Sequence, residues 1–387
     1  MNPADPKPNP RQKRLAAYLD HVAKAAGHAD RADPLKNYCK GLLLPGGRKS
    51  VEPMAARLAP DNVRRMHQSL HHLVADAAWS DDEVLRTVRG YVLTAMRNRE
   101  PVAAWIVNDI VFPKKGKESV GVARQSVVRP EKRENCRIAV SLSVSTRTSS
   151  LPVAFRLYLP ENWCNDPARR AKTGVPEEIR FHTRPRIALD HIRQAVEDEV
   201  PRGVVLANAV YGADDQFLAG LRELPLLYAV GVPSTAATEQ LSIAVPQTAW
   251  RDGPSDEVRS RFAAVRIHPP STDEWLLIEW PKDAAHPAQF WRSNLPAETK
   301  LEDLIRIAKD SRIAGRGHGE LLRELGLGHF EGRGWRGFHH HATLCIAAYG
   351  FLVSERSLFS PSLRAGELEV QVPPTPPEFR PRGTAVF

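Results

Sequence analysis

The spacing of apolar and polar positions changes twice along the chain. From Gln12 to about Arg99 apolar residues recur at helical intervals, as at Leu15, Tyr18, Leu19 and Val22 and again at Val84, Val88, Val92 and Leu93. Gly-Leu-Leu-Leu-Pro-Gly-Gly-Arg-Lys-Ser (41–50) interrupts them with a turn, and Asp61 can cap a helix running from Met66 to Ala77. The pattern predicts four or five helices over residues 13–100, behind a flexible arm at 1–12. Near residue 103 the runs become strand-like. Ala103–Val107, Cys136–Ser145 and Leu151–Leu159 are rich in Val, Ile, Leu and Phe. An amphipathic helix over Pro185–Glu199, a short strand at Val204–Ala207, a helix at Asp214–Leu221 and a strand at Leu226–Val232 follow. Three adjacent strands and then strand–helix alternation predict an α/β fold, a mixed sheet with helices packed on it, over 101–232. Residues 233–300 read as a β-rich insertion, with strands at Arg261–His268 and Glu274–Trp280. Leu301–Lys309 and the apolar Gly337–Glu355 are the helices of a segment 301–359. Pro-Pro-Thr-Pro-Pro (373–377) marks an extended tail over 360–387.

Composition narrows the class. A chain of 387 residues can hold one large domain and one or two smaller ones. No apolar run approaches the roughly 18–20 residues of a membrane span, and the proline-rich N-terminus lacks the apolar core of a signal peptide. The expectation is a cytoplasmic protein with no membrane partner. Cys39, Cys136, Cys164 and Cys345 show no CxxC spacing, which argues for free thiols and against a zinc ribbon or a disulfide framework. The net charge of +9 suggests a polyanionic partner, nucleic acid above all, although arginine-rich composition alone also makes proteins basic.

The candidate chemistry centres on Trp105-Ile-Val-Asn-Asp-Ile-Val-Phe-Pro-Lys-Lys-Gly116. An apolar strand ends on an acid, Asp109, and a basic turn with Lys114, Lys115 and Lys117 follows. A carboxylate at a strand end can hold a divalent metal, and such a turn can hold a phosphate. Arg333, Trp335 and Arg336 alternate cation and aromatic, which suits phosphate contact and base stacking, or else core packing of Trp335. His339, His340 and His341 are consecutive, so a helix points them in three directions and they make a poor joint metal site. Trp275 and Trp280 sit at strand spacing and read as core of the insertion.

Four runs closely resemble DDE-class insertion-sequence transposases of the insertion-sequence 701 branch. They are Gly-Leu-Leu-Leu-Pro-Gly-Gly-Arg-Lys-Ser-Val-Glu-Pro-Met-Ala-Ala-Arg (41–57), Phe-Pro-Lys-Lys-Gly-Lys-Glu-Ser-Val-Gly-Val-Ala-Arg-Gln (112–125), Leu-Pro-Val-Ala-Phe-Arg-Leu-Tyr-Leu-Pro (151–160) and Glu-Leu-Gly-Leu-Gly-His-Phe-Glu-Gly-Arg-Gly-Trp-Arg-Gly-Phe-His-His-His-Ala (324–342). The resemblance covers about 12 to 359. It implies a ribonuclease-H-like core in which Asp, Asp and Glu hold two divalent cations, usually Mg2+, for phosphoryl transfer on double-stranded DNA. It also implies that the β-rich insertion helps to shape the DNA channel. A homodimer is compatible with it.

Carried over residue by residue, the resemblance gives a damaged triad. The family's Asp-Asp-Thr is Asn108-Asp109-Ile110 here, which makes Asp109 the retained first acid and a weak metal ligand. The family's Leu-Ala-Asp-Ala-Gly-Tyr-Gly is Leu206-Ala-Asn-Ala-Val-Tyr-Gly212, which puts Asn208 at the second acid. Counting back from Glu324 places Gly315 at the glutamate, and the glycines of Gly315-Arg-Gly-His-Gly319 predict that the helix start has become a loop. One carboxylate cannot offset two doubly charged ions, so the expectation is a scaffold that binds DNA and is deficient in cleavage, with Mg2+ binding weak or absent. Asp214, Asp215, Glu320 and Glu331 are the acids that could substitute. Two alternatives stand beside this one: an active enzyme with unorthodox metal ligands, or a repurposed pocket lined by Asp109, Asn208, Arg316 and His318 that takes a small molecule.

Overall fold

The computed structural model describes residues 9–126, 133–234, 251–252, 260–267, 273–310, 312–359 and 361. Most of the expected N-terminal arm and nearly all of the expected tail lie outside them.

Helix α1 (Pro10–Ala23) starts inside the stretch expected to be an arm. Asn9 and Gln12 form a capping box, each side chain accepting from the other's backbone N–H at 2.9 and 2.8 Å, and Pro10 fills the first helical position. Helices α2 (Ala29–Leu43), α3 (Val51–Leu58), α4 (Val63–Ala75) and α5 (Asp81–Arg99) follow. Asp61 does not cap α4. It lies in a 3-10 turn, Pro60–Asn62, and Asn62 holds the cap position. Ser80 caps α5, whose first turn is acidic and last turn basic, as the helix dipole favours.

Strands β1 (Ala104–Pro113), β2 (Ala123–Ser126), β3 (Arg133–Ser145) and β4 (Ser150–Leu157) come next. Then come α6 (Glu161–Cys164), α7 (Pro167–Thr173), α8 (Arg184–Glu197), β5 (Val204–Ala207), α9 (Ala209–Gly212), α10 (Asp215–Arg222) and β6 (Tyr228–Val232). The core order is β4-β3-β1-β5-β6. The β4/β3 and β3/β1 pairs are antiparallel, and the β1/β5 and β5/β6 pairs are parallel. Parallel pairs need crossovers, which α8 to α10 supply. This is the expected ribonuclease-H-like arrangement.

Among the described residues the β-rich insertion adds to the core sheet instead of forming a separate one. Strands β7 (Arg251–Asp252), β8 (Ser260–Ile267), β9 (Glu274–Pro281) and β10 (Gln289–Ser293) extend the core sheet in the order β6-β10-β9-β8-β7, with β10 antiparallel to β6. Helices α11 (Leu301–Lys309), α12 (Arg312–Arg323) and α13 (Trp335–Leu358) complete the chain. The expected loop at Gly315–Gly319 is instead an interior stretch of α12. Ala314 and Leu321 are buried beneath that helix, and their anchoring on the sheet outweighs the glycine cost of about 1 kcal/mol per residue.

Helix α13 is buried around nearly its whole circumference, between β4 on one side and α2, α4 and α5 on the other. One hydrophobic cluster therefore runs from Leu15 to Val353 and joins the N-terminal helices to the sheet. The three histidines point apart and each finds its own partners. His339 accepts from the Leu157 N–H at 3.1 Å and bonds the Trp335 carbonyl. His340 stacks on Trp79, and His341 lies between the Tyr38 hydroxyl and the Gly326 carbonyl. Their role is structural.

Candidate active-site cleft

Successive side chains of a strand alternate between the two faces of the sheet, and in β1 this separates Asn108 from Asp109. Ala104 and Ile106 pack with Leu206, Ala229 and Ala314 beneath α12. Asn108 follows on that side and lines a cleft of about 720 Å³ together with Asn208, Val210, Gly231, Glu279, Trp291 and Lys309, among others. Asp109 points to the opposite face. Its Oδ2 accepts from Arg184 Nη1, at the start of α8, at 2.6 Å, and its Oδ1 accepts from the Tyr211 hydroxyl at 2.7 Å. Its side chain is 12% exposed and that of Arg184 21%. The expectation that Asp109 faces the cleft as a metal ligand is thus corrected by strand alternation: the cleft receives its neutral neighbour.

Asn208 ends β5 and caps α9. Its Oδ1 accepts from the Val210 N–H at 2.9 Å, which takes one of the oxygen's two lone pairs and leaves a neutral donor. A pair of glycines fixes this turn. A Cβ on Gly212 would lie 1.9 Å from the Gly231 carbonyl oxygen, and one on Gly231 would lie 2.9 Å from the Ala209 nitrogen. Only glycines allow α9 to sit this close to β6.

Gly315 is exposed, faces open space and is not among the residues lining the cleft. Arg316 is exposed, and His318 is buried with Nε2 against the hydroxyls of Ser141 and Ser143 at 3.2 and 3.3 Å. Neither lines the cleft, so the expected pocket of Asp109, Asn208, Arg316 and His318 does not assemble. Alternation turns Asp109 to the other face, Arg316 is exposed, and His318 is tied to the serines of β3.

Of the four acids named as substitutes, Asp215 is exposed and not among the residues lining the cleft, and the other three are engaged elsewhere. Asp214 caps α10 through the Phe217 N–H at 2.9 Å, Glu320 pairs with Arg356, and Glu331 pairs with Arg48. The carboxylate that does line the cleft is Glu279 of β9, bound to Lys309 at 2.5 Å. Sequence reasoning missed it, because only the pairing of β9 through β10 to β6 brings it there. Among the described residues no three His, Cys, Asp or Glu side chains come together as a metal site. The donor set of the cleft, the amides of Asn108, Asn208 and Gln289 and one ion-paired carboxylate, does not fit a pair of divalent cations, which require several anionic oxygens.

In the basic turn Lys115 and Lys117 are exposed, while the half-buried Lys114 donates to the Phe330 carbonyl at 3.2 Å. Burial, with Arg137 nearby, pushes the Lys114 pKa down to about 8. Arg333 and Arg336 are exposed. Trp335 is only 8% exposed and packs against His339, so it offers no open face for a base and belongs to the core. Cys39, Cys136 and Cys345 are buried free thiols, and Cys164 is a half-buried one. No helix among the described residues is long and apolar enough to cross a membrane.

A comparison with curated proteins finds no match. The family model described as DDE superfamily endonuclease matches residues 21–291, from α1 through β10. Nucleases of that superfamily act on DNA and generally use divalent metal ions. With most of the chain matched and a ribonuclease-H-like sheet beneath the cleft, this protein belongs to the DDE superfamily endonuclease family.

Proposed function

We propose that this chain is a transposase-like protein of the insertion-sequence 701 type that binds double-stranded DNA and has lost metal-dependent cleavage. The observation that carries the reading is the pair of amides, Asn108 and Asn208, at the cleft where β1 and β5 run side by side, with the acid of β1, Asp109, committed to Arg184 and Tyr211 on the other face and the cleft's own acid, Glu279, paired with Lys309. In this reading Asn108 stands where the first carboxylate belongs, Asn208 where the second belongs and Gly315 where the glutamate belongs, so the whole triad is gone. DNA contact falls to the exposed Lys115 and Lys117 and to the net positive charge. The test is nicking of linear DNA carrying terminal inverted repeats, with Mg2+ or Mn2+. No cleavage above background is expected. The double variant Asn108→Asp/Asn208→Asp, which puts two carboxylates on the cleft, should gain Mn2+ binding by calorimetry. Robust cleavage by the unaltered chain that Asp109→Ala abolishes would sink the reading.

One observation favours a second reading. The cleft is of small-molecule size, about 720 Å³, with Trp291 and Phe290 beside the two amides. A repurposed cleft would take a small polar molecule through those amides. Saturation of the chain by such a compound, lost in Asn108→Ala and in Trp291→Ala without a change in DNA affinity, would favour it.

A further inference from the structure

Two of the sequence runs quoted above meet away from the cleft. Lys49 and Ser50 of the 41–57 run and residues 329–334, 336 and 337 of the 324–342 run line one cavity of about 540 Å³. Residues of α4, His67 and His71 among them, and the end of α7 complete its wall. We infer that this cavity is a binding site for a phosphate group, as a monoester or a diester, separate from the cleft.

The charges argue for an anion. Lys49 is 2% exposed, and its Nζ donates to the Leu44 carbonyl, which leaves two of its three protons without an acceptor among the described residues. No carboxylate pairs with it there, and the Arg57 guanidinium adds to the local positive charge. A buried ammonium without a counter-ion is costly, and an anionic ligand supplies the missing charge. Arg333, in the loop before α13, and Arg336, in its first turn, line the same cavity, and Arg336 Nη1 also donates to the Asp76 carbonyl at 3.1 Å. Two acids also line it. Glu331 is taken by Arg48, so Glu52 alone faces Lys49, Arg333 and Arg336.

The backbone points the same way. Helix α13 begins at this wall behind Gly334, and α3 begins there behind Ser50, and neither cap residue makes a side-chain bond to its helix. Free N–H groups at two helix starts add donors and positive potential to the cationic lining. Guanidinium and ammonium groups around a half-open cavity suit a phosphate, which accepts charge-assisted bonds on several oxygens.

The inference does not depend on whether the cleft cuts DNA. Its test uses the full chain at constant ionic strength, with inorganic phosphate, deoxyadenosine 5′-monophosphate and a short DNA duplex as probes. Arg333→Gln/Arg336→Gln is compared with Lys115→Gln, all at exposed positions, after melting curves confirm that both variants fold. Saturable binding of phosphate or the mononucleotide, weakened about tenfold or more by the double arginine change and little by Lys115→Gln, supports a site for a free phosphate ligand. If the duplex alone binds, and loses about tenfold or more in the arginine variant but less in Lys115→Gln, the phosphate belongs to DNA and the site still stands. Absence of binding by all three probes, or equal binding by the arginine variant, overturns it. A negative result here leaves the cleavage assay of the cleft unaffected.

Discussion

Asp109 shows how much one residue's position on a strand decides. The acid that the motif retains is a structural tie between β1, α8 and α9, holding Arg184 and Tyr211. Removing it leaves a largely buried guanidinium and a buried phenol without their acceptor. Asp109→Ala is therefore expected to destabilise the fold by roughly 2–3 kcal/mol while DNA affinity stays the same. Asp109→Asn, which retains an acceptor for Tyr211, should lose less, and urea titration separates the two. The buried histidines set a second residue-scale expectation. Burial pushes His318, His339, His340 and His341 down to about 4. Their folded pKa lies below the unfolded value, so the unfolded chain binds more protons between the two. Their stabilising contribution is complete above about pH 6.5 and is lost as the pH falls towards 4. Each should cost roughly 1 kcal/mol near pH 5.5. Urea midpoints at neutral pH and at that pH read the sum, and an unchanged midpoint would contradict neutral burial of the histidines.

At the scale of the element, α12 departs furthest from what its sequence suggests. Glycine-rich composition argues for a loop, yet the chain is helical from Arg312 to Arg323. The two central glycines differ in kind. A Cβ at Gly315 meets open space, whereas one at Gly317 would lie 2.7 Å from Ser150 Oγ and 2.8 Å from the Tyr349 hydroxyl. Gly315→Ala is expected to raise stability by about 1 kcal/mol through helix propensity alone. Gly317→Ala should lower it, because the buried Ser150 and Tyr349 hydroxyls or α12 itself must give way. Thermal denaturation of the pair gives the opposite signs directly, and equal shifts would mean that α12 is not seated as described. The turn after β5 follows the same logic. Gly212 and Gly231 are required by close approach, and Val210 beside them is free to be exposed.

For the molecule as a whole, the consequence of one shared core is that the N-terminal helices and the sheet stand together. Helix α13, buried on nearly every side, would be left bare by removal of either. The net charge of +9 acts at this scale as well. Binding of double-stranded DNA is expected to weaken steeply with salt. Lys115→Gln/Lys117→Gln should lower the slope of log K against log salt by about 1–2 if both lysines meet phosphates. A slope that the double change leaves intact would place the DNA on another face.

Much of this was legible in the chain itself, because period and length carry it. The five-helix start, the strand at Val204–Ala207, the strand pair of the insertion and the helix at Leu301–Lys309 all follow from apolar spacing. The separate directions of the three histidines follow from helical rotation. The amides at positions 108 and 208 were visible as letters, and alternation along β1 already contained the clue that residues 108 and 109 face apart. Which of the two faces the cleft was fixed only when β5 paired with β1 and α12 covered one side of the sheet. The same holds for Glu279, carried to the cleft by strands paired edge to edge, and for the meeting of Lys49 with Arg333 and Arg336. Local pattern sets an element's type because its forces act within a few residues. The neighbours of a side chain depend on packing between segments far apart in sequence, and that information exists only in the folded chain.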